Sequence, residues 1–462
     1  MSQPPSPSLQ ATIRDALQRH QAGRLTEAEQ LYREALAIDP ENADCLHLLG
    51  MIAFQFGNHA QAAALIRKAI AIHKTAASYH SNLGNVLQAE GSLDEAEACY
   101  RRALELKPNQ AEVHLNLGHI LKANGHVDSA LACYRQALAL KPALAEARVA
   151  ESMALLLQGD YAAGWQHFDL RWQTLDYDTP VRAYPHPLWR GEPLTSGRLF
   201  VWGEQGVGDE IMFAGLVPDL IRAGLPCVLD CDPRLKPLFA RSFPHVEVIS
   251  GYDPDRDAEL NIAAHLPSAS LPGLFRTSSE SFAVTASPYL VADAVQRERF
   301  HSRHHDGRLR VGLAWHTTNR KSGRSRSIDL SSFAPLFAQP ALRWISLQYG
   351  DHGALEAQAA AAGAPLLIDR AVDQLSDLDS FAAQVAAMDL VITIDNSTAH
   401  LAAALGVPTW LLLPFAPDWR WLCAGDRSPW YPTMRLFRQP ALGDWPSLLQ
   451  QVDRALVSVF SR

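Results

Sequence analysis

Three stretches of this chain combine residue types and spacing suited to holding an anion. The first is Asp395-Asn-Ser-Thr-Ala-His400, directly after the apolar, β-branched run Leu390–Ile394. Asn396 or Ser397 can serve as an N-cap, and a helix starting there offers unpaired backbone N–H groups to an anion such as a diphosphate. The second is Gly203-Glu-Gln-Gly-Val-Gly-Asp-Glu210, which follows another apolar run at 199–202. Gly206 and Gly208 permit close backbone approach to a ligand. No Gly-Lys-Ser/Thr follows, and the third glycine of the dinucleotide fingerprint is absent, so neither nucleotide motif is met. The third is the loop His316-Thr-Thr-Asn-Arg-Lys-Ser-Gly-Arg-Ser-Arg-Ser327. Its cations, Lys321, Arg324 and Arg326 among them, suit phosphate oxygens. The plain alternatives are an ordinary capped helix and a solvated charge run.

Positioning these stretches takes strand-turn-helix units. Unbroken apolar runs suit strands buried on both faces of a parallel sheet, and ligands bind at the carboxyl edge of such a sheet. The spacing predicts strands at 199–202, 226–232 and 246–249, with helices at 211–223 and 233–239. It predicts further strands at 309–315, 345–348, 366–369, 390–394 and 407–413. A helix at 378–388 leads into the opening stretch. The next, from 399, is ended by Gly406 and blocked by Pro408. A last amphipathic helix covers 444–459. The aromatic loops 417–421 and 428–432 are candidate pocket walls. This gives a connector at 173–197, one α/β half at 198–295, a polar hinge at 296–308 and a second half at 309–462. Asp230-Cys-Asp232 has the form of a metal-binding pair. Two further matches, at 253–255 and 255–257, make chance the simpler reading. His301, His304 and His305 read as a solvated run, so no metal is expected.

The first third is periodic. Gly23, Gly57, Gly91, Gly125 and Gly159 recur every 34 residues, as do Ala28, Ala62, Ala96 and Ala130, and Ala35, Ala69, Ala103 and Ala137. Pro40, Pro108 and Pro142 keep the same step, with Lys74 at the missing position. Tyr32, Tyr100 and Tyr134 mark another register, with Ile66 in place of one tyrosine. This is the pattern of tetratricopeptide repeats, an all-α solenoid of paired helices. The array with a divergent last unit covers 9–172, and that unit's Trp165, Phe168 and Trp172 are expected to dock against the following domain. Such arrays bind peptides along a concave surface. His47, Asn82, Asn85, His114, Asn116 and His119 are the inner-surface candidates.

The formal charge of −8 gives no reason to expect nucleic-acid binding. No apolar run is long enough to span a membrane. The six cysteines form no CxxC pair and read as reduced. With no signal-peptide pattern at the N-terminus, a cytoplasmic protein is expected.

Two α/β halves joined by a hinge, with helix-terminus turns facing a cleft, resemble the GT-B glycosyltransferase architecture of two Rossmann-like halves. Gly206-Val-Gly-Asp209 is similar to the glycine-Asp turn of the heptosyltransferase family. Asp395-Asn-Ser-Thr-Ala-His400 resembles that family's Asp-Thr-Gly-x-x-His motif, with Asn396-Ser397 in place of Thr-Gly. Together with the repeats, the chain resembles bacterial tetratricopeptide-repeat glycosyltransferases. The resemblance implies metal-independent, inverting transfer of a sugar from a nucleotide-sugar, without a cofactor. It implies that Asp209 is the general base, with Glu204 the second choice. Lys321, Arg324 and Arg326 would offset the leaving diphosphate, and Asp395, Asn396, Ser397 and Thr398 would hold it with His400 close by. Trp315 and Gln348 would meet the nucleoside. The structural alternatives are that Asp209 caps a helix and His400 packs inside. The implied acceptor is a protein recruited by the repeats, flagellin or another surface protein. The competing functions are a non-catalytic scaffold with a degenerate GT-B domain and a lipopolysaccharide glycosyltransferase.

Overall fold

The computed structural model describes residues 7–174, 177, 179, 182–284, 288–319 and 323–460. They form two compact units, divided between Glu151 and Ser152.

The first unit is a stack of helix pairs, Pro7–Gln21 with Leu25–Ile38, Ala43–Gln55 with His59–Ile72, Ala77–Glu90 with Leu93–Leu106, and Ala111–Ala123 with Val127–Leu140. The periodic residues account for the stack. Ala28, Ala62, Ala96, Ala130 and their partners seven residues on are all fully buried, which lets paired helices approach closely. The turn glycines take left-handed φ between 73° and 86°, where a side chain is strained. Packing is tightest where Gly84 and Gly118 sit against Tyr100 and Tyr134. A Cβ on Gly118 would lie 2.4 Å from the Tyr134 ring. Gly118→Ala is therefore expected to cost about 1–3 kcal/mol through overpacking. A urea midpoint equal to that of the unmodified protein would contradict this.

The second unit holds two parallel sheets. In its first half, β1 (Arg198–Trp202), β2 (Cys227–Asp230), β3 (Glu247–Ile249) and β4 (Ile262–Pro267) lie in the order β3-β2-β1-β4. In its second half are β5 (Leu309–Ala314), β6 (Leu342–Ser346), β7 (Leu366–Leu367), β8 (Leu390–Ile394), β9 (Thr409–Leu413) and β10 (Met434–Arg438). They lie in the order β10-β9-β8-β5-β6-β7. Every residue of β8 and β9 is buried, as their unbroken apolar runs require. The core of this half joins Val311, Leu313, Trp344, Ile392 and Leu412 to Leu448, Val452 and Leu456 of the closing Trp445–Phe460 helix.

Several expectations need correction. The division between the two compact units falls at 151/152, within the Ala145–Gln158 helix, and not at 172. Trp165 and Phe168 belong to the second unit, where both rings pack on Trp419 and Trp165 Nε1 donates to the Arg276 carbonyl at 2.8 Å. The hinge at 296–308 is largely the helix Ala294–Arg303, capped by Asp293 and packed through buried Phe300. His304 is not solvated. It is fully buried, with Nε2 2.9 Å from Asp369, itself held by Arg303. The helix expected at 211–223 begins earlier and splits into Val207–Ala214 and Val217–Arg222. Gly215 ends the first piece, packed closely under Tyr289. β4 and β10 escaped the pattern, since small alanines and alternating arginines interrupt their apolar residues.

Candidate functional site

The carboxyl ends of β5 and β8 mark the centre of the larger sheet. From β5 the chain proceeds outward through β6 and β7; from β8 it proceeds the other way through β9 and β10. At such a switch point neighbouring loops part and leave a crevice. A cavity of about 520 Å³ occupies this position. The loop after β5 lines it with Thr317, Thr318, Asn319 and Arg326; the turn after β8 with Asp395, Asn396, Ser397 and His400; and the loop after β9 with Asp418 and Arg420. The first half closes it with the turn after β1, Gln205 to Asp209. The three sequence stretches thus converge on one cavity.

Local chemistry sets each wall. Asn396 caps the Ser397–Ala404 helix, accepting from Ala399 N at 3.3 Å and from Thr393 Oγ1 at 3.0 Å. Its own Nδ2 is buried without a partner, as is Arg420 Nε. Gly206 caps the Val207–Ala214 helix. The two helices abut: a Cβ on Gly208 would lie 3.3 Å from both Ser397 Cα and His400 Cδ2. Gly208 thus serves helix contact as well as lining the cavity, whereas a Cβ on Gly206 would meet open space. One non-glycine residue of the cavity wall holds left-handed backbone, Gln205 at φ 68°. Such a residue costs about 1–3 kcal/mol and is typical of sites whose geometry is held by their surroundings.

The cavity is dense in charge. Arg326 Nη1 lies 3.0 Å from Asp395 Oδ2, and Arg326 Nη2 3.9 Å from Asp418 Oδ2. Arg420 Nη1 lies 2.6 Å from Asp418 Oδ1, and its Nη2 donates to Asp209 Oδ1. Burial pushes the Asp395 carboxyl above its ordinary range despite Arg326. At Asp418 the two guanidiniums outweigh burial and hold the carboxyl low. Burial, reinforced by Arg420, pushes His400 down to about 3, so its ring is neutral. That ring stacks on Trp421 with centroids 5.2 Å apart, and its Nδ1 is 2.9 Å from the Tyr431 hydroxyl.

Other candidates are placed elsewhere. Trp315 is 1% exposed in the core of the second half, closed off from any nucleoside. Gln348 is also buried and spends its amide on the chain. Its Oε1 accepts from Trp315 N and His316 N at 3.0 and 2.9 Å, and its Nε2 donates to the His316 and Tyr349 carbonyls. Glu204 is 2% exposed and paired with Arg171 at 2.7 Å, so it is a structural ion pair and not a reserve base. Thr398 is buried off the cavity and Arg324 is exposed outside it. Lys321 lies outside the described residues. Arg420 and Asp418 were missed as polar members of an aromatic loop. The signal was their place after the carboxyl end of a buried strand.

A second cavity, about 590 Å³, lies over the carboxyl ends of β1, β2 and β3. Glu210, Asp230, Tyr184 and Tyr252 line it. Asp230 is held by Arg182 at 2.9 Å and by Gly251 N, and Asp232 by Arg234, so neither half of the Asp-x-Asp pair is free for a metal. Glu210 accepts from Asp232 N at 2.8 Å, and burial pushes its carboxyl up to about 7. With a folded value above the unfolded one, its contribution to stability is complete below the ordinary carboxylate range and lost as pH rises through about 7. Glu210→Gln removes that loss. It is expected to stabilise the protein by about 1–3 kcal/mol near pH 8 and by little near pH 4.5. Urea unfolding at both pH values checks this; an equal difference at each would contradict it.

In the first unit, Asn82, Asn85 and Asn116 line a groove of about 660 Å³ with Lys107, Gln110 and Lys141. Asn85 Oδ1 accepts from Asn116 Nδ2 at 3.0 Å and from the Tyr100 hydroxyl at 2.8 Å. The three histidines are not on that groove. His47 stacks on Tyr79, His114 Nε2 meets the Pro108 carbonyl at 2.9 Å, and His119 Nδ1 is 3.2 Å from the Tyr134 hydroxyl. Burial pushes His47 and His119 down to about 4, so both stay neutral helix-packing groups.

Among the described residues no group of three or more His, Cys, Asp or Glu stands ready to hold a metal ion, and no helix is long and apolar enough to cross a membrane.

Two tetratricopeptide-repeat family models match the chain, over residues 19–84 and 74–143. A curated relative, protein FlbA of Caulobacter vibrioides, is 31% identical over 339 residues, which are 66% of this chain and 54% of that protein. The chain therefore spans about half of that relative's length. The crystal structure of MamA is 22% identical with a TM-score of 0.32, covering 34% of this chain and 91% of its own. The structure of Pseudomonas aeruginosa pilF is 25% identical with a TM-score of 0.33, covering 35% and 74%. The 34-residue period and the family matches agree: the chain carries a tetratricopeptide-repeat array between residues 19 and 143.

Proposed function

We propose that the second unit is a metal-independent glycosyltransferase of GT-B type, acting on an acceptor protein recruited by the repeats. One observation carries the reading. Two arginines, a helix N-terminus and buried, unpartnered Asn396 Nδ2 and Arg420 Nε surround a single cavity at the switch point of a parallel sheet. Such a site suits the diphosphate of a nucleotide-sugar. The acceptor oxygen attacks the anomeric carbon while Asp209 takes its proton. The bond to the diphosphate breaks with its electron pair on the leaving oxygen, where Arg326 and Arg420 balance the charge. Attack opposite the leaving group inverts the anomeric centre.

Thermal unfolding across a panel of nucleoside diphosphates tests the site. A ligand at 100 times its Kd should add about 2.7 kcal/mol of stability. Arg326→Ala should weaken binding by about 1.5–3 kcal/mol, and Arg324→Ala, outside the cavity, should leave it unchanged. Equal loss in both variants would show only general charge attraction, and no stabilisation by any diphosphate would contradict the reading.

A further inference from the structure

The cavity holds three carboxylates, Asp209, Asp395 and Asp418, against two guanidiniums, Arg326 and Arg420. Asp209, Asp418 and Arg420 are already joined by hydrogen-bonded ion pairs. Arg420 spends Nη1 on Asp418 and Nη2 on Asp209, with its guanidinium 4.6 Å from the Trp419 ring centroid and Nε buried and unpartnered. Burial disfavours its charge, but the carboxylates outweigh burial and keep it protonated. Among the described residues, a diphosphate entering this cavity meets three carboxylates against two guanidiniums, and one of the two, Arg420, has both Nη atoms taken. It gains the Arg420 fork only if the pair with Asp209 or with Asp418 opens. Of the two arginines, Arg420 bridges the halves, because Asp209 comes from the turn after β1 and Asp418 from the loop after β9.

Building on the donor-site reading above, we propose that Arg420 is an exchange residue. In the empty protein it occupies Asp209; when a diphosphate binds, its Nη2 edge moves to the phosphate oxygens and releases the Asp209 carboxylate. The pairing with Asp418 at 2.6 Å stays as the pivot. While Arg420 Nη2 donates to Asp209 Oδ1, that oxygen is occupied and closed to an acceptor hydroxyl. Exchange therefore keeps the base inactive until donor is present, and makes addition ordered, with donor before acceptor. Arg420 here is a positioning residue for Asp209 as well as a ligand of the diphosphate.

The exchange predicts a counterintuitive result. Asp209→Asn takes the charge from the competitor for Arg420 and leaves it only a neutral hydrogen bond, so the variant should bind inorganic pyrophosphate more tightly than the unmodified full-length protein, on the order of tenfold by calorimetry. A crystal structure of the unmodified protein with pyrophosphate separates exchange from the mere removal of a repelling charge. Arg420 Nη2 should then lie on a phosphate oxygen and off Asp209. The inference is overturned if pyrophosphate binds with no gain in Asp209→Asn, or if Arg420 still holds Asp209 in the complex. If neither pyrophosphate nor any nucleoside diphosphate binds to either protein, the donor-site reading itself falls.

Discussion

Asp209→Asn is expected to slow single-turnover sugar transfer by about 100- to 10,000-fold, the usual loss when a general base is removed, while a diphosphate still binds. The expectation is geometric. Asp209 is on the first turn of the Val207–Ala214 helix, and that helix abuts the Ser397–Ala404 helix, whose first turn faces the same cavity. Its carboxylate thus reaches that cavity from the opposite half. Asn keeps the size and a hydrogen bond to Arg420 but cannot take a proton. Arg420 keeps Asp418 as its ion-pair partner and a hydrogen bond from Nη2, so the melting temperature should move little. Unmodified transfer rates in a folded Asp209→Asn protein would remove Asp209 from the reaction. Glu204 would not replace it, because its carboxylate is sealed against Arg171.

That buried pair gives the largest expected loss of stability. Arg171 is 2% exposed and donates through Nε and Nη2 to Glu204 at 3.2 and 2.7 Å, while Glu204 also accepts from Ala269 N at 3.1 Å and from the Tyr177 hydroxyl. The guanidinium further meets Ser270 Oγ at 3.1 Å and Asp169 at 2.6 Å and lies 4.8 Å from the Phe168 ring centroid. Glu204→Ala leaves this cation buried with one carboxylate, Asp169, that is itself largely solvated. The expected cost is about 3–5 kcal/mol. Glu204→Leu with Arg171→Met should recover much of that loss, because the pair's net worth is small beside the cost of orphaning one partner. Urea unfolding of the single and double variants checks both statements; a single-variant loss below about 1 kcal/mol would contradict the account.

The contrast between these two acidic residues shows what the amino-acid pattern can reveal. Glu204 and Asp209 are five positions apart in one glycine-rich turn, the second and the first choice for the general base. One is turned inward by Arg171, which is 33 residues upstream in a segment with no visible motif, and only the folded chain makes that partner apparent. The repeat array was legible because its period is local and each small residue answers to a neighbour 34 positions away. The strand-turn-helix units were legible because buried parallel strands are unbroken apolar runs. The site's electrostatics were not legible. Arg420 meets Asp209 across 211 residues of chain, and long-range pairs of this kind leave no spacing to read. Trp315 and Gln348 failed for a related reason. They stand at strand ends, where ligand contacts are common, but β5 and β6 turn them into the core and onto the loop backbone.

Phosphorus NMR of the full-length protein incubated with a panel of nucleotide-sugars tests the central claim most directly. The bridging phosphate of a nucleotide-sugar and the terminal phosphate of the released nucleoside diphosphate give separate signals. For one member of the panel the terminal-phosphate signal should grow with the unmodified protein, grow far more slowly with Asp209→Asn, and be absent at equal concentration with Arg326→Ala. A panel in which no nucleotide-sugar is consumed, and none perturbs the protein's unfolding, would contradict the assignment of a donor site to this cavity.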